Sequence, residues 1–443
     1  MKGFAVSFCA AGAMAAFAAG TPRVADVQLS FDATAHLATI GYTLADAPGV
    51  VTFDIQTNVT GDAWASIGGE ALAGAWGDVN AYVEGVGESH TIFWKPHAGL
   101  EIDETAFRAV VTAWPEEAPP DYMVIDLNMS TNPAASLLQG HSFYPDADQI
   151  PGGIQSRVYK TDKLVMRKIP VCPTLKWVMG ADGAANSTAH YVTLTNNFYM
   201  GVYEMTIRQW EIICTNLPSS TITKTFYTNF TDAAVLPVSG IDYNETRGAA
   251  NGKAWGGTNT AADVQRAVDQ LSVSQRTPIG MLRKRTGILF DVPTEAQWEY
   301  ACRAGTATAY NNGTGASAEN CAALAWCSGN STRTSIYGQN ILAVHPVGTK
   351  ALPNAWGLYD MHGNVREMCQ DIWTNKLEAV DAIEPRGPEP PSSGSIYRVY
   401  RGGSYSDAYD KCCSGYRTYT NANAHYPYNG LRVVCPYPLN LKW

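Results

Sequence analysis

Tyr397-Arg-Val-Tyr-Arg-Gly-Gly-Ser-Tyr405, running on through Cys412-Cys413 to Gly430-Leu-Arg-Val-Val-Cys435, is the stretch on which the reading of this chain turns. A β-rich run, Tyr397 to Tyr400, meets Gly402-Gly403, where the backbone can turn sharply or be approached closely. The segment behind is polar, aromatic and cysteine-bearing, with neither helical nor strand period, so the surrounding fold must hold it. It is either a reactive site or a displayed binding surface.

The rest of the chain sets bounds on both readings. At 443 residues it exceeds one ordinary core, so two or three domains are expected. A hydrophobic share of 46% with 16% charged residues belongs to a folded protein rather than a disordered one. Forty glycines and 24 prolines favour loops and short strands over long helices. A net charge of −9 with no basic face argues against a nucleic-acid partner. No run beyond the N-terminus approaches the roughly 20 apolar residues of a transmembrane segment.

Residues 1–19 read as a signal peptide: Lys2 is positive, Phe4 to Phe17 is apolar, and Ala16-Phe-Ala18 fits a cleavage site. The expectation is export to a periplasmic, cell-surface or secreted location, where disulfides persist. Nine of the ten cysteines lie beyond the leader, an odd number, so at least one does not pair within the chain.

Between 26 and 115 the pattern alternates: Val27–Phe31, Ala38–Tyr42, Val51–Ile55, His90–Trp94 and Phe107–Trp114 read as half-buried strands separated by turns. This predicts a small all-β sandwich that looks like an immunoglobulin or fibronectin-type module. Pro115-Glu-Glu-Ala-Pro-Pro120 is a stiff linker, and 116–163 reads as a connector. From 164 to 438 the character is α+β and rich in loops. Leu164–Pro170 and Tyr191–Thr195 read as strands, and Phe198–Met205 as a strand that runs into a helix. Thr206-Ile-Arg-Gln209 and Thr294-Glu-Ala-Gln297 carry the spacing of capping boxes before short helices.

Five motifs in order then carry a resemblance. They are Phe198-Tyr-Met-Gly-Val-Tyr-Glu-Met-Thr-Ile-Arg-Gln-Trp210, Val292-Pro-Thr-Glu-Ala-Gln-Trp-Glu-Tyr-Ala-Cys-Arg303, Asn354-Ala-Trp-Gly-Leu-Tyr-Asp-Met-His-Gly-Asn-Val365, Arg401-Gly-Gly-Ser404 and Gly430-Leu-Arg-Val-Val434. Together they resemble the sulfatase-modifying factor family, to which the formylglycine-generating enzymes belong. The resemblance implies a C-type-lectin-like fold with little regular structure. Family enzymes oxidise a sulfatase cysteine with copper(I) held by two cysteines just after the Gly-Gly-Ser, and thiolates suit that soft ion.

Here Ser404 matches the family serine and Cys412 the second cysteine, but the first cysteine position is Asp407 and the active-site tryptophan position is Arg366. The expected function is therefore a binding or display scaffold for a protein, peptide or glycan, without competent oxidase chemistry. Arg366, Tyr405, Asp407, Tyr409 and Arg417 are its ligand-binding candidates. Tyr416, Tyr419, Tyr426 and Tyr428, with Asn421, Asn423 and Asn429, extend the surface. The first alternative is a copper(I) oxidase using Ser404, Cys412 and Cys413 or another thiol; the second is a structural envelope protein.

The resemblance also implies a structural calcium held by Asp360, Gly363, Val365 and Glu367, an oxygen-rich set within one loop. It implies structural cysteines, with Cys302, Cys369, Cys412, Cys413 and Cys435 as disulfide candidates. Cys302 could meet Cys412 or Cys413, and Cys369 could meet Cys321 or Cys327. His345, His362 and His425 read as lone histidines, and no clustered His and carboxylate set of the nonhaem-iron kind is legible.

Overall fold

The computed structural model describes residues 20–436 apart from 59–62, 98, 101, 104, 117, 129–140, 181–183, 185, 215–231, 248–276, 335–338, 351–352, 376–379 and 389–393. The expected signal peptide lies outside the described residues.

Alternating apolar residues build the N-terminal part. In the strand Leu37–Ala45, Ile40, Tyr42 and Leu44 turn inward while their neighbours stay half-buried. That strand lies between Arg23–Asp32 and Ser89–Trp94 in one four-stranded antiparallel sheet. Gly49–Thr57 and Phe107–Trp114 pair along their whole length in a second. Val51, Phe53, Ile55 and Val111 from the second sheet meet Ile40, Ile92 and Trp94 from the first in one core. The strands fall where the alternation predicts them.

The region 116–163 is not a mere connector. Tyr122–Asp126 and His141–Tyr144 are strands of a five-stranded sheet, ordered His141–Tyr144, Tyr122–Asp126, Lys163–Ile169, Phe198–Gly201 and Val434–Pro436. Met123 and Ile125 enter a core with Tyr199 and Leu431, whereas Tyr122 and Val124 enter another with Tyr159 and Tyr203. A strand covered on both faces reads as a continuous apolar run, and so carries no alternation to betray it.

Both predicted helices start at capping boxes. Thr206 and Gln209 exchange backbone and side-chain hydrogen bonds at 3.0 and 3.2 Å before Ile207–Cys214. Thr294 and Gln297 do the same before Glu295–Arg303. The fold is thus mixed, with mostly strands. Much of its irregular part is ordered by buried ion pairs: Arg401 meets Glu299, Arg417 meets Glu295, and Arg432 meets Glu367, all essentially without solvent contact.

The sheet that positions the site has the order Thr418–Asn421, Tyr397–Arg401, Arg366–Ile372, Asn429–Gly430. Glu367 pairs with Arg401 across its antiparallel centre, and Arg366 with Asn429 across a short parallel edge.

Candidate functional site

Leaving the strand Tyr397–Arg401, the chain passes Gly402 and Gly403 with φ of +86° and +69°, a region that favours glycine. A Cβ on Gly403 would lie 2.6 Å from the Lys411 carbonyl oxygen and 2.7 Å from Cys412 Sγ. The double glycine is therefore required by the close return of the cysteine-bearing segment.

Beyond that turn Ser404 is wholly buried and its Oγ donates to Asp407 Oδ2 at 2.6 Å. Arg366, from the neighbouring strand, donates to the same carboxylate through Nε at 2.8 Å and Nη2 at 2.6 Å. Its guanidinium also stacks over the Tyr428 ring, 4.2 Å from the centroid. The two residues that depart from the family's enzymes therefore form one bidentate ion pair, fastened to the family serine. Neither offers an uncommitted charge to a ligand, which revises their expected role as direct contacts.

The other ligand candidates divide by burial. Tyr409, Tyr419 and Tyr426 are 40%, 48% and 43% exposed, while Tyr405, Tyr416 and Tyr428 are half-buried. Asn429 and Arg417 are wholly buried, which removes both from the expected surface. Arg417 instead grips Glu295 through Nε and Nη2 at 2.5 and 2.8 Å.

The expected disulfides are not formed. Cys302 Sγ lies 3.9 Å from His362 Nε2 and 3.7 Å from Ser414 Oγ rather than beside a sulfur. Cys413 donates to the Tyr409 carbonyl at 3.8 Å, and Cys369 to that of Glu367 at 4.0 Å. Cys435 is a buried thiol. Burial pushes the Cys302 thiol up to about 12 and those of Cys369 and Cys435 well above the ordinary range, which keeps them protonated. Cys412 and Cys327 both lie within hydrogen-bond reach of Cys321, the neighbour that the sequence left unassigned to this site. Cys412 and Cys413 lie with Tyr310, Cys321 and Cys327 in one small buried cluster.

The calcium candidates are partly committed. Glu367 accepts from Trp298 Nε1 at 2.7 Å and from Arg432 Nη2 at 2.7 Å, so a guanidinium already occupies its carboxylate. This removes Glu367 from a calcium shell. Asp360 accepts from the Gly348 amide at 2.5 Å and is pushed up to about 6, chiefly by burial. Glu204, which sequence reasoning missed, is wholly buried nearby; its oxygens accept from Asn364 Nδ2 at 2.6 Å and the Val365 amide at 3.1 Å. Burial, then the charges of Asp360 and Glu367, raise its pKa well above the ordinary carboxylate range. Glu204, Asp360 and Glu367 thus gather around Arg432, and Lys160 also acts on Asp360.

A cleft of about 380 Å³ lies apart from the Gly-Gly-Ser turn, with Met179, His190, Glu295, Asp371, Arg386 and Arg417 among its walls. Burial and the adjacent Glu295 push Asp371 up to about 7. The histidine and carboxylate set that the sequence did not show also exists: Asp242, Glu245 and His425 come together in the fold.

This strand-rich fold, with its glycine turn and buried serine, defines a class. The chain belongs to the family described as the sulfatase-modifying factor enzyme 1-like domain, whose profile matches residues 161–436. It is 34% identical over 146 residues to the formylglycine-generating enzyme of Thermomonospora curvata, covering 28% of this chain and 41% of that one. The Bos taurus formylglycine-generating enzyme is 34% identical over 129 residues, 28% of this chain and 32% of that one. The serine/threonine-protein kinase pkn1 of Chlamydia pneumoniae is 34% identical over 134 residues, 30% of this chain but 19% of the kinase. The chain therefore spans less than half the length of each of these relatives. Among solved structures, Treponema denticola variable protein 1 is 23% identical with a TM-score of 0.44, covering 62% of this chain and 95% of that one. PvdO from Pseudomonas aeruginosa is 20% identical with a TM-score of 0.42, covering 61% and 94%. No described helix is long and apolar enough to cross a membrane.

Proposed function

We propose that this chain is an exported binding scaffold that keeps the family's C-type-lectin-like frame but not formylglycine-forming oxidation. The observation that carries this reading is the Arg366–Asp407–Ser404 network. A bidentate ion pair, fastened to Ser404, fills the place where the resemblance puts a copper-binding cysteine and a tryptophan. A carboxylate locked to a guanidinium is a poor ligand for copper(I). Tyr409, Tyr419 and Tyr426 are the exposed aromatics that would meet a protein, peptide or glycan, with the N-terminal module read as immunoglobulin-like. A calcium ion at Asp360 would be structural.

The test is a peptide and glycan array probed with the full chain and with the Tyr409→Ala, Tyr419→Ala and Tyr426→Ala variants. Selective binding weakened by these changes is expected. An array without any ligand would favour the structural envelope reading instead.

One observation favours a second reading. Because Cys321 lies beside Cys412, a pair of thiols other than Cys412 and Cys413 is available to copper(I). Both cysteines are wholly buried, however, so an extended peptide has no path to them without rearrangement.

A further inference from the structure

We propose that the cleft lined by Asp371, His190 and Arg386 binds a small zwitterion, a free α-amino acid with an apolar side chain. Its volume of about 380 Å³ lies within the roughly 300–1,000 Å³ of small-molecule sites.

Three parts of the fold meet around it. The first is a three-stranded sheet in which Trp177–Met179 pairs with His190–Thr193, and that strand with Ala382–Ile383. Met179, His190 and Ala382 of this sheet line the cleft. The second part is the end of the strand Arg366–Ile372, which supplies Asp371 and Ile372. The third is the first turn of the helix Glu295–Arg303, which supplies Glu295 and Ala296. Pro385-Arg-Gly-Pro388 packs against the second: a Cβ on Gly387 would lie 3.1 Å from both Asp371 Cβ and the Ile372 amide nitrogen. That contact holds the residue before it, Arg386, beside Asp371.

The cleft carries two opposite charges that the fold leaves unpaired. Asp371 is only 3% exposed, and its Oδ2 accepts from the Glu295 amide at 2.7 Å. The Arg417 charge that also acts on it is bound to Glu295, through Nε and Nη2 at 2.5 and 2.8 Å. Arg386 is exposed, and neither it nor Asp371 forms an ion pair with a described residue.

These charges select the ligand. A buried carboxylate without a cation of its own is unfavourable, and an ammonium group would supply the missing charge. A carboxylate would in turn accept two parallel hydrogen bonds from the Arg386 fork. With Glu295 balancing Arg417 and Asp371 balancing Arg386, the lining is neutral overall, which suits a zwitterion better than a simple anion or cation. His190 Nδ1 donates to the Thr188 carbonyl at 2.7 Å, so Nε2 remains an acceptor for the ammonium. Met179, Ile372 and Val380 offer apolar surface to the ligand's side chain.

The test screens the full chain against the common L-amino acids by thermal shift. Calorimetry then compares the best of them with its N-acetyl and amide forms. An apolar amino acid such as leucine or methionine should bind with submillimolar affinity, and blocking either its amine or its carboxylate should weaken binding roughly tenfold or more. Asp371→Asn should lose a similar factor. So should Arg386→Gln, which alters an exposed side chain and should leave the circular dichroism unchanged. No saturable binding of any amino acid at roughly 10 mM, equal binding of the blocked forms, or wild-type affinity in Arg386→Gln would overturn the site.

Discussion

Removing Asp407 strips the Arg366 guanidinium of its counter-charge and the Ser404 hydroxyl of its acceptor, where the arginine side chain is only 13% and the aspartate 5% exposed. Breaking a buried pair from one side costs roughly 3–5 kcal/mol, because the survivor stays buried and uncompensated. Asp407→Ala should therefore destabilise the protein by about that much in urea unfolding. The Arg366→Ala/Asp407→Ala double variant should lose less than the sum of the single changes; strict additivity would show that the pair does not couple. A second residue-scale expectation concerns pH. Burial raises Asp360 from 3.8 to about 6, so the folded state holds its proton more tightly than the unfolded chain does. The stability from this group is complete below pH 3.8 and is lost as pH rises through about 6, on the order of 3 kcal/mol in all. Thermal melts from pH 4.5 to 7.5 should show a falling contribution that Asp360→Asn flattens. Calcium added at the upper end should raise the Tm of the wild type and leave the Asn variant unmoved.

At the scale of elements, local signals were legible and two-faced ones were not. The capping boxes at Thr206 and Thr294 could be read because donor and acceptor lie three residues apart. Thr294→Ala should cost about 1 kcal/mol, measurable as a lower urea midpoint at unchanged slope. The glycine turn was legible as a turn, but its reason came only from the returning Cys412 segment. Gly403→Ala should cost more than the roughly 1–2 kcal/mol that a left-handed φ alone costs an L residue, because its Cβ also meets the returning segment. Cys412→Ala should not rescue it, since the Lys411 carbonyl remains 2.6 Å from the new Cβ. Full rescue would mean that the thiol alone sets the turn. Tyr122–Asp126 reads in the sequence as a short apolar run within a connector, because its alternate residues enter two different cores, which erases the period of two.

Over the whole molecule, family and broad architecture followed from five ordered motifs, whereas the site followed only in part. Asp407 and Arg366 could each be read as a departure, but nothing in a linear chain says that they meet. The same holds for Asp242 and His425, and for Cys321 beside Cys412. The two strands supplied by 122–144 make a further claim. Met123, Ile125, Leu127 and Phe143 are all fully buried in the core shared with the family domain. At roughly 1.5–3 kcal/mol each, they contribute as much as a domain's entire stability. A truncation beginning at residue 116 should unfold cooperatively, and one beginning at residue 160 should not. The central claim, that the Arg366–Asp407 pair has replaced oxidase chemistry, meets its most direct test in one measurement. The copper(I)-loaded full chain is incubated with a cysteine-containing sulfatase-motif peptide under oxygen, and the peptide is followed by mass spectrometry. An unchanged cysteine after many hours is the predicted result; turnover to the formylglycine aldehyde would contradict the account.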